Sequence, residues 1–357
     1  MRIEHIRRRL RDLGAGPGHE RHVLTRWVRA QAQSSGKHRI EDFLPKALRV
    51  ALPGLVDELD GLARLRSEYP AADGSARMLF ELGDGQTVEG VLLPRGGVCV
   101  STQVGCAVGC VFCMTGRGGL LRQLGSAEIV AQVVSARRLQ PVRKVVFMGM
   151  GEPAHNLDNV CEAIDLLGQE GDIGHKNLVF STVGDARVFE RLLQGRVKPA
   201  LALSLHSTHR KLREQLLPRA PRISPAELVA QGERYARATS YPIQYQWTLI
   251  EGVNDGDDEL EGLIALLRGK YAVLNMIPYN AVEGLEFRRP SNDRARQIAL
   301  RLARGGVLTK LRQSAGQDVE AGCGQLRART AGGDRRRIAI EFGDHLAIHS
   351  RNAAARS

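Results

Sequence analysis

Aromatic residues make up only 4% of this 357-residue chain. That scarcity argues against a sheet face that stacks bases on exposed rings, so any nucleic-acid contact would rest on charge and shape. No apolar run approaches the roughly 18–20 residues that a bilayer crossing needs. The start, MRIEHIRRRLRDL, is basic but lacks the apolar stretch of a secretory signal. No glycine-rich dinucleotide fingerprint, phosphate loop or internal repeat is present. Cysteine is sparse too, six in all. With a cytoplasmic location as the expectation, those thiols point to metal binding or catalysis rather than disulfides.

What is present is unevenly placed. Residues 1–50 carry 12 Lys and Arg against 5 Asp and Glu, and residues 327–357 carry 7 Arg against 3. These two ends hold nearly all of the +12 net charge. A nearly neutral body between basic ends suits docking of a polyanion, most simply nucleic acid. Solvated charge kept for solubility is the competing reading. Hydrophobic content of 43% marks a folded chain able to bury a sizeable core.

Residues 1–65 space their apolar side chains three and four apart, as in HVLTRWVRAQAQ, and predict helices. Over ARMLFELGDGQTVEGVLLP the period changes to two, and Asp84-Gly85 between the two runs predicts a hairpin. From residue 98 short β-branched runs follow: VCVSTQV, KVVFMG, NLVFST, PALALSL, IQYQWTLI and AVLNMIP. Amphipathic segments at 126–139, 157–168, 185–194, 224–238 and 257–268 separate most of them. Asn156 is expected to cap the second of these helices, with Leu157, Val160, Cys161, Ile164 and Leu167 as its apolar face.

Strands alternating with helices predict an α/β fold, a parallel sheet covered by helices in which six units make an open, partial β/α barrel. The expected organisation is a basic helical domain at 1–75, a β-hairpin extension at 76–97 and the partial barrel at 98–313. A mobile loop at 314–326 and a basic, flexible tail at 327–357 complete it. In such folds chemistry collects at the C-terminal ends of the strands. The unusual residues fall there: Cys106–Cys113, Gly149–Pro153, Ser181–Gly184, Ser204–His206 and Asn280.

Cys106, Cys110 and Cys113 lie in GCAVGCVFCMTG, directly after the first of these strands. A structural zinc site wants four ligands and usually shows a second pair downstream; none follows. Three thiolates also suit a four-iron cluster, leaving one iron open to a ligand. A zinc site completed by a distant residue and three inert thiols are the alternatives. GMGEP at 149–153 adds glycines that admit a ligand close to the backbone, and Glu152 to accept hydrogen bonds from an ammonium. Loop and turn together resemble the radical S-adenosylmethionine (SAM) enzymes.

Cys99 precedes the loop by seven residues, and Cys323 lies between two glycines far downstream. Taken singly, each reads as a structural cysteine. Yet CVSTQVGCAVGCVFCMTG, VVFMGMGEPAHN, FSTVG, ALSLHS, EGVND, LNMIPYN and AGCGQL stand in the order and spacing of the RlmN/Cfr family of radical SAM RNA methyltransferases. The resemblance covers about residues 77–326. It implies a [4Fe-4S] cluster on Cys106, Cys110 and Cys113, and two molecules of SAM per turnover. One methylates Cys323; the other is cleaved to a 5′-deoxyadenosyl radical that activates this methyl group. The methyl then joins carbon 2 or carbon 8 of an adenosine in ribosomal or transfer RNA.

By the same resemblance Cys99 forms a transient disulfide with Cys323, and Glu89, in TVEGVLLP, accepts a proton from a partly desolvated site. Gly151, Glu152, Ser181, Ser204, Leu205, His206 and Asn280 would contact SAM. The implied partners are RNA and an electron donor such as flavodoxin or ferredoxin, with no membrane and the chain itself a monomer. Ala315 and Gln317 in SAGQDVEAGC, and the runs LLPRAPR and LLRQL, depart from the family pattern where RNA is gripped. A related enzyme acting on another RNA or a protein, and a non-catalytic iron–sulfur redox sensor that binds RNA, are the competing functions.

If the basic ends dock RNA, affinity falls steeply with salt, and removal of residues 327–357 flattens the slope of log affinity against log salt. An unchanged slope in a filter-binding series would make that tail irrelevant to binding.

Overall fold

The computed structural model describes residues 1–35 and 40–328. Most of the tail expected at 327–357 therefore lies outside the described residues. β1 (Ala63–Pro70), β2 (Ala76–Leu82), β3 (Thr87–Leu93) and β4 (Gly97–Cys99) form an antiparallel run. The Asp84-Gly85 hairpin closes as its sequence suggests: Gly85 takes a left-handed φ of 79°, and the Asp84 carboxylate accepts from the Gln86 N–H. β1 departs from the helix expected through residue 65. Leu62 and Leu65 satisfy a helical spacing, but Ala63, Leu65 and Tyr69 also fit an alternating one, and pairing with β2 decides the outcome.

β5 (Gln103–Gly105) and β6 (Leu120–Gln123) make a separate two-stranded ribbon that brackets the cysteine loop. The main sheet continues through β7 (Lys144–Phe147), β8 (Leu178–Thr182), β9 (Ala200–Ser204), β10 (Ile243–Leu249), β11 (Ala272–Pro278) and β12 (Thr309–Leu311). Its order is β1-β2-β3-β4-β7-β8-β9-β10-β11-β12, parallel from β4 onward. The six expected parallel strands are all present, and β12 extends the sheet by one. The two ends of the sheet do not pair with each other, so the barrel is open.

Helices Ser126–Leu139, Leu157–Gln169, Ala186–Gln194, Pro225–Thr239 and Asp257–Leu267 fall where the apolar periodicity placed them. Asp185 and Ser224 cap two of them through their side chains. Asn156 does not cap the helix it precedes. Its amide is turned inward, donating to the carbonyls of Thr102 at 2.8 Å and Leu124 at 2.7 Å, and so ties the helix to the cysteine-loop strand. Val160, Cys161, Ile164 and Leu167 form the buried face as expected.

The N-terminal helices Ile3–Asp12 and Lys46–Gly61 bury Ile3, Ile6, Leu10, Leu48, Leu52, Leu55 and Leu59. These side chains join the same core as β2, β7, β8 and β10. Among the described residues no helix is long and apolar enough to cross a membrane. Phe180, fully buried in the middle of β8, is a clean probe of this core. Phe180→Ala is expected to cost about 3–5 kcal/mol, read as a lower midpoint in denaturant.

Candidate active site

Because the strands from β4 onward run in one direction, the segments leaving their C-terminal ends converge on one edge of the sheet. The cysteine loop is the first of them. At Gly105 φ is 79°, and a Cβ there would meet the Gly119 carbonyl oxygen at 2.0 Å, so the loop closes only with glycine. Its far side rests on the end of the helix Arg210–Leu216 and the segment that follows: Val111 N–H donates to Leu216 O at 3.1 Å and Arg219 N–H to Val108 O at 3.2 Å. Cys106, Cys110 and Cys113 share a small apolar cluster with Val108, Phe112, Met114, Val183, Leu216 and Ile250.

The donor set fits an iron–sulfur cluster. Burial pushes the Cys106 thiol up to about 12 and the Cys110 thiol well above its ordinary value, and neighbouring loop cysteines push both further. Burial raises Cys113 as well. Three sulfurs crowded into a desolvated pocket are unstable as free thiolates, and a polynuclear cation is what would stabilise them. Among the described residues no three His, Cys, Asp or Glu side chains converge as the ligands of one metal ion. Zinc ligands must all reach one atom, whereas cluster cysteines each reach a different iron.

GMGEP follows β7. Gly151 takes φ 103°, and a Cβ there would strike the Gln103 side chain at 2.6 Å. Glu152 is buried; its N–H donates to Gln103 Oε1 at 2.7 Å, and its carboxylate accepts from the Ala154 and Val183 N–H groups at 3.0 Å. Burial drives its carboxyl up to about 7, against the lowering effect of those bonds and of the Thr182 hydroxyl. Ser181 and Ser204 stand half-buried at the C-terminal ends of β8 and β9.

His206 follows with a left-handed φ of 59°. Its Nδ1 accepts from the Thr248 N–H at 3.0 Å, and its ring meets Phe112 edge-on at 4.9 Å. Burial, with Arg213 nearby, pushes it down to about 3, so it is a neutral ring whose Nε2 carries the proton. Leu205 is fully buried, its side chain part of the main core, and so offers this edge only its backbone.

Asn280, at the end of β11, reaches the last element. Its amide donates to Ser314 Oγ at 2.8 Å and to the Cys323 carbonyl at 3.0 Å. Cys323 itself is exposed, and the Ser314 hydroxyl bonds its thiol. The following Gly324 carbonyl accepts from Met114 N–H at 2.8 Å, which seats this segment on the cysteine loop. Burial pushes the Cys99 thiol up to about 12, and the charge of Cys323 pushes in the same direction; Cys113 acts likewise on Cys323. The charge of Cys323 is thus felt at Cys99, and that of Cys113 at Cys323, and all six cysteines are free.

Glu89 lies on β3, two residues before Val91, the partner of Cys99, and is 1% exposed. Arg77 donates to one carboxylate oxygen, and the N–H groups of Arg327 and Ala328 donate to the other at 2.8 and 3.2 Å. The expected proton acceptor is, in this arrangement, also the anchor of the Cys323 segment.

Residues 100–266 match the radical SAM superfamily. A "Probable RNA methyltransferase" of Methylibium petroleiphilum is 72% identical over 335 residues, covering 94% of this chain and 95% of that protein. A protein of the same description from Pseudomonas aeruginosa is 63% identical, covering 95% of this chain and 99% of its own length. The crystal structure of a radical SAM methyltransferase from Sphaerobacter thermophilus superimposes with a TM-score of 0.81 at 35% identity, over 92% of this chain and 98% of that one. The chain belongs to the radical SAM methyltransferases.

In this methyltransferase several residues outside the expected set hold the site together. Gln103 fixes Glu152, and Asn254 donates to the His206 carbonyl at 2.8 Å while accepting from the Ile250 N–H. Asn254 lies in EGVND and Gln103 in CVSTQVGC, so each stood in a family motif; Arg77 had no pattern of its own. Arg77 is buried, donates to the Val319 carbonyl at 2.8 Å and stacks on Tyr69.

Replacing Arg77 with Met leaves Glu89 buried without its cation. The variant is expected to lose about 3–5 kcal/mol of stability and to exchange the amides of residues 316–328 faster in hydrogen–deuterium exchange. Unchanged protection there would show that the pair does not hold this segment.

Proposed function

We propose that the enzyme methylates carbon 2 or carbon 8 of an adenosine in ribosomal or transfer RNA, with Cys323 as methyl carrier. The observation that carries this reading is the seating of the Cys323 segment on the cysteine loop, through Met114 N–H to the Gly324 carbonyl, with the charge of Cys323 felt at Cys99; neither a simple SAM-cleaving enzyme nor a redox sensor needs that pair. The names of its relatives and the basic stretch of residues 1–50 support RNA as the substrate.

Cys106, Cys110 and Cys113 would hold a [4Fe-4S] cluster. Gly151, Glu152, Ser181 and Ser204 would line the place of SAM, with the Leu205 backbone, His206 and Asn280 completing it. When bound, the cluster and SAM would supply one-electron cleavage of a sulfonium, and with it hydrogen abstraction from an unactivated carbon. An sp² adenine carbon is too weak a nucleophile for direct polar methyl transfer, which is why a protein-bound thioether is needed.

The chain's own groups have separable tasks. Asn280 and Ser314 orient Cys323 through its carbonyl and its sulfur. Glu152, held by two backbone N–H groups, presents a fixed acceptor to an ammonium. Cys99 would attack the Cys323 sulfur, breaking its bond to the methylene carbon and releasing the product as the disulfide forms. Glu89 accepts the proton that leaves the adenine carbon, once the Arg327–Ala328 N–H groups move off its carboxylate. A donor such as flavodoxin or ferredoxin would supply the electron.

Anaerobic protein, SAM, a reductant and RNA should yield a methyladenosine isomer by nucleoside mass spectrometry. Cys323→Ala should abolish it, and Cys99→Ala should accumulate protein covalently joined to RNA. Normal turnover by Cys323→Ala would end the carrier reading.

A further inference from the structure

Arg213, on the helix Arg210–Leu216, is 2% exposed. A guanidinium this deep normally faces a carboxylate, because an uncompensated buried charge is costly. Its hydrogen-bond partners among the described residues are instead two backbone carbonyls at strand ends, Val183 O and Ser204 O, the latter at 3.1 Å. Its Nε–H is buried with no partner. One turn further along, Leu216 O accepts from Val111 N–H, so the same helix rests directly on the residue after Cys110. Val183 is gripped from both sides, its N–H by Glu152 and its carbonyl by Arg213. Arg213 therefore lies where the cysteine loop, β8 and β9 meet; burial pulls its guanidinium down to about 10, and the Cys110 sulfur is foremost among the groups that offset this.

We propose that Arg213 is a positioning residue for the cluster. Its positive charge and unpaired N–H serve the sulfur group bound through Cys110 and raise that group's reduction potential. This rests on the cluster reading above. Net charge and hydrogen bonds to sulfur set such potentials, and in a water-poor pocket a fixed cation favours the more negative, reduced state. The carbonyl bonds aim the guanidinium; the spare donor and the charge are what remain for the cluster.

The test uses full-length, anaerobically reconstituted protein in wild-type, R213Q and R213K forms. Iron, sulfide and absorbance first establish cluster content, and a redox titration followed by electron paramagnetic resonance then gives the midpoint potential. R213Q keeps an N–H donor for the carbonyls but loses the charge. Its midpoint should move to more negative values at full cluster content, while R213K stays near wild type. An unmoved midpoint in R213Q with an intact cluster overturns the proposal and leaves Arg213 as a tie between strand ends. If R213Q does not hold a cluster, R213K decides: a potential near wild type supports the role, and a negative shift despite the retained charge overturns it. Absence of a cluster in wild type removes the cluster reading itself, a distinct result that takes this proposal with it.

Discussion

Seven strands, from β4 to β12, share one direction, and every loop that leaves their C-terminal ends is delivered to the same edge. The cysteine loop, the GMGEP turn, the ends of β8 and β9, His206 and Asn280 are far apart in sequence and become neighbours for that reason alone. Helices cover the sheet and keep the strands buried, so the edge is rigid. Openness matters too: a sheet whose ends do not pair leaves room for the segment from Ser314 to Ala328 to lie across it. A closed barrel of the same strands would have left less space for that segment beside Cys113.

Burial has two different outcomes at this edge. Most of the polar groups are satisfied within the protein: Glu89 by Arg77 and two backbone N–H groups, Glu152 by Ala154 and Val183, and Asn254 by His206, Thr248 and Ile250. These groups hold loops in position, and a satisfied buried group resists rearrangement. The loop sulfurs, among the described residues, have no hydrogen-bonded cation of this kind, and burial with mutual repulsion disfavours their thiolates. Such a pocket gains stability by accepting positive charge, and that asymmetry separates scaffold from ligand site.

The Cys323 segment shows how the two halves of the chain cooperate. Asp73 accepts from the Gly316 N–H, Asp318 from the Ala72 N–H, and Arg77 bonds the Val319 carbonyl. The antiparallel strands before the barrel thus act as a bracket for a loop that arrives more than two hundred residues later. Asn280 and Met114 hold the same loop from the barrel side. A thiol on a wholly free loop would sample many positions, whereas this one is held against the cysteine loop.

The alternation of strand and helix, the six parallel strands, the cysteine loop and the family pattern were all legible in the chain, because periodicity and local spacing are written in consecutive residues. Less legible were features settled by pairing across distance. β1 could be read as helix or strand until β2 supplied its partner, and Asn156 followed the cap rule until two inward carbonyls claimed its amide. Glu89 carried a role by resemblance, but nothing in TVEGVLLP announced that Arg77 and the backbone at 327–328 would occupy its oxygens. Composition and spacing by themselves determined the fold class and the sulfur-rich chemistry, since both depend on near neighbours. Only the tertiary structure decided which side chains face those sulfurs, because burial, and the partner each buried charge finds, exist only once distant segments have packed.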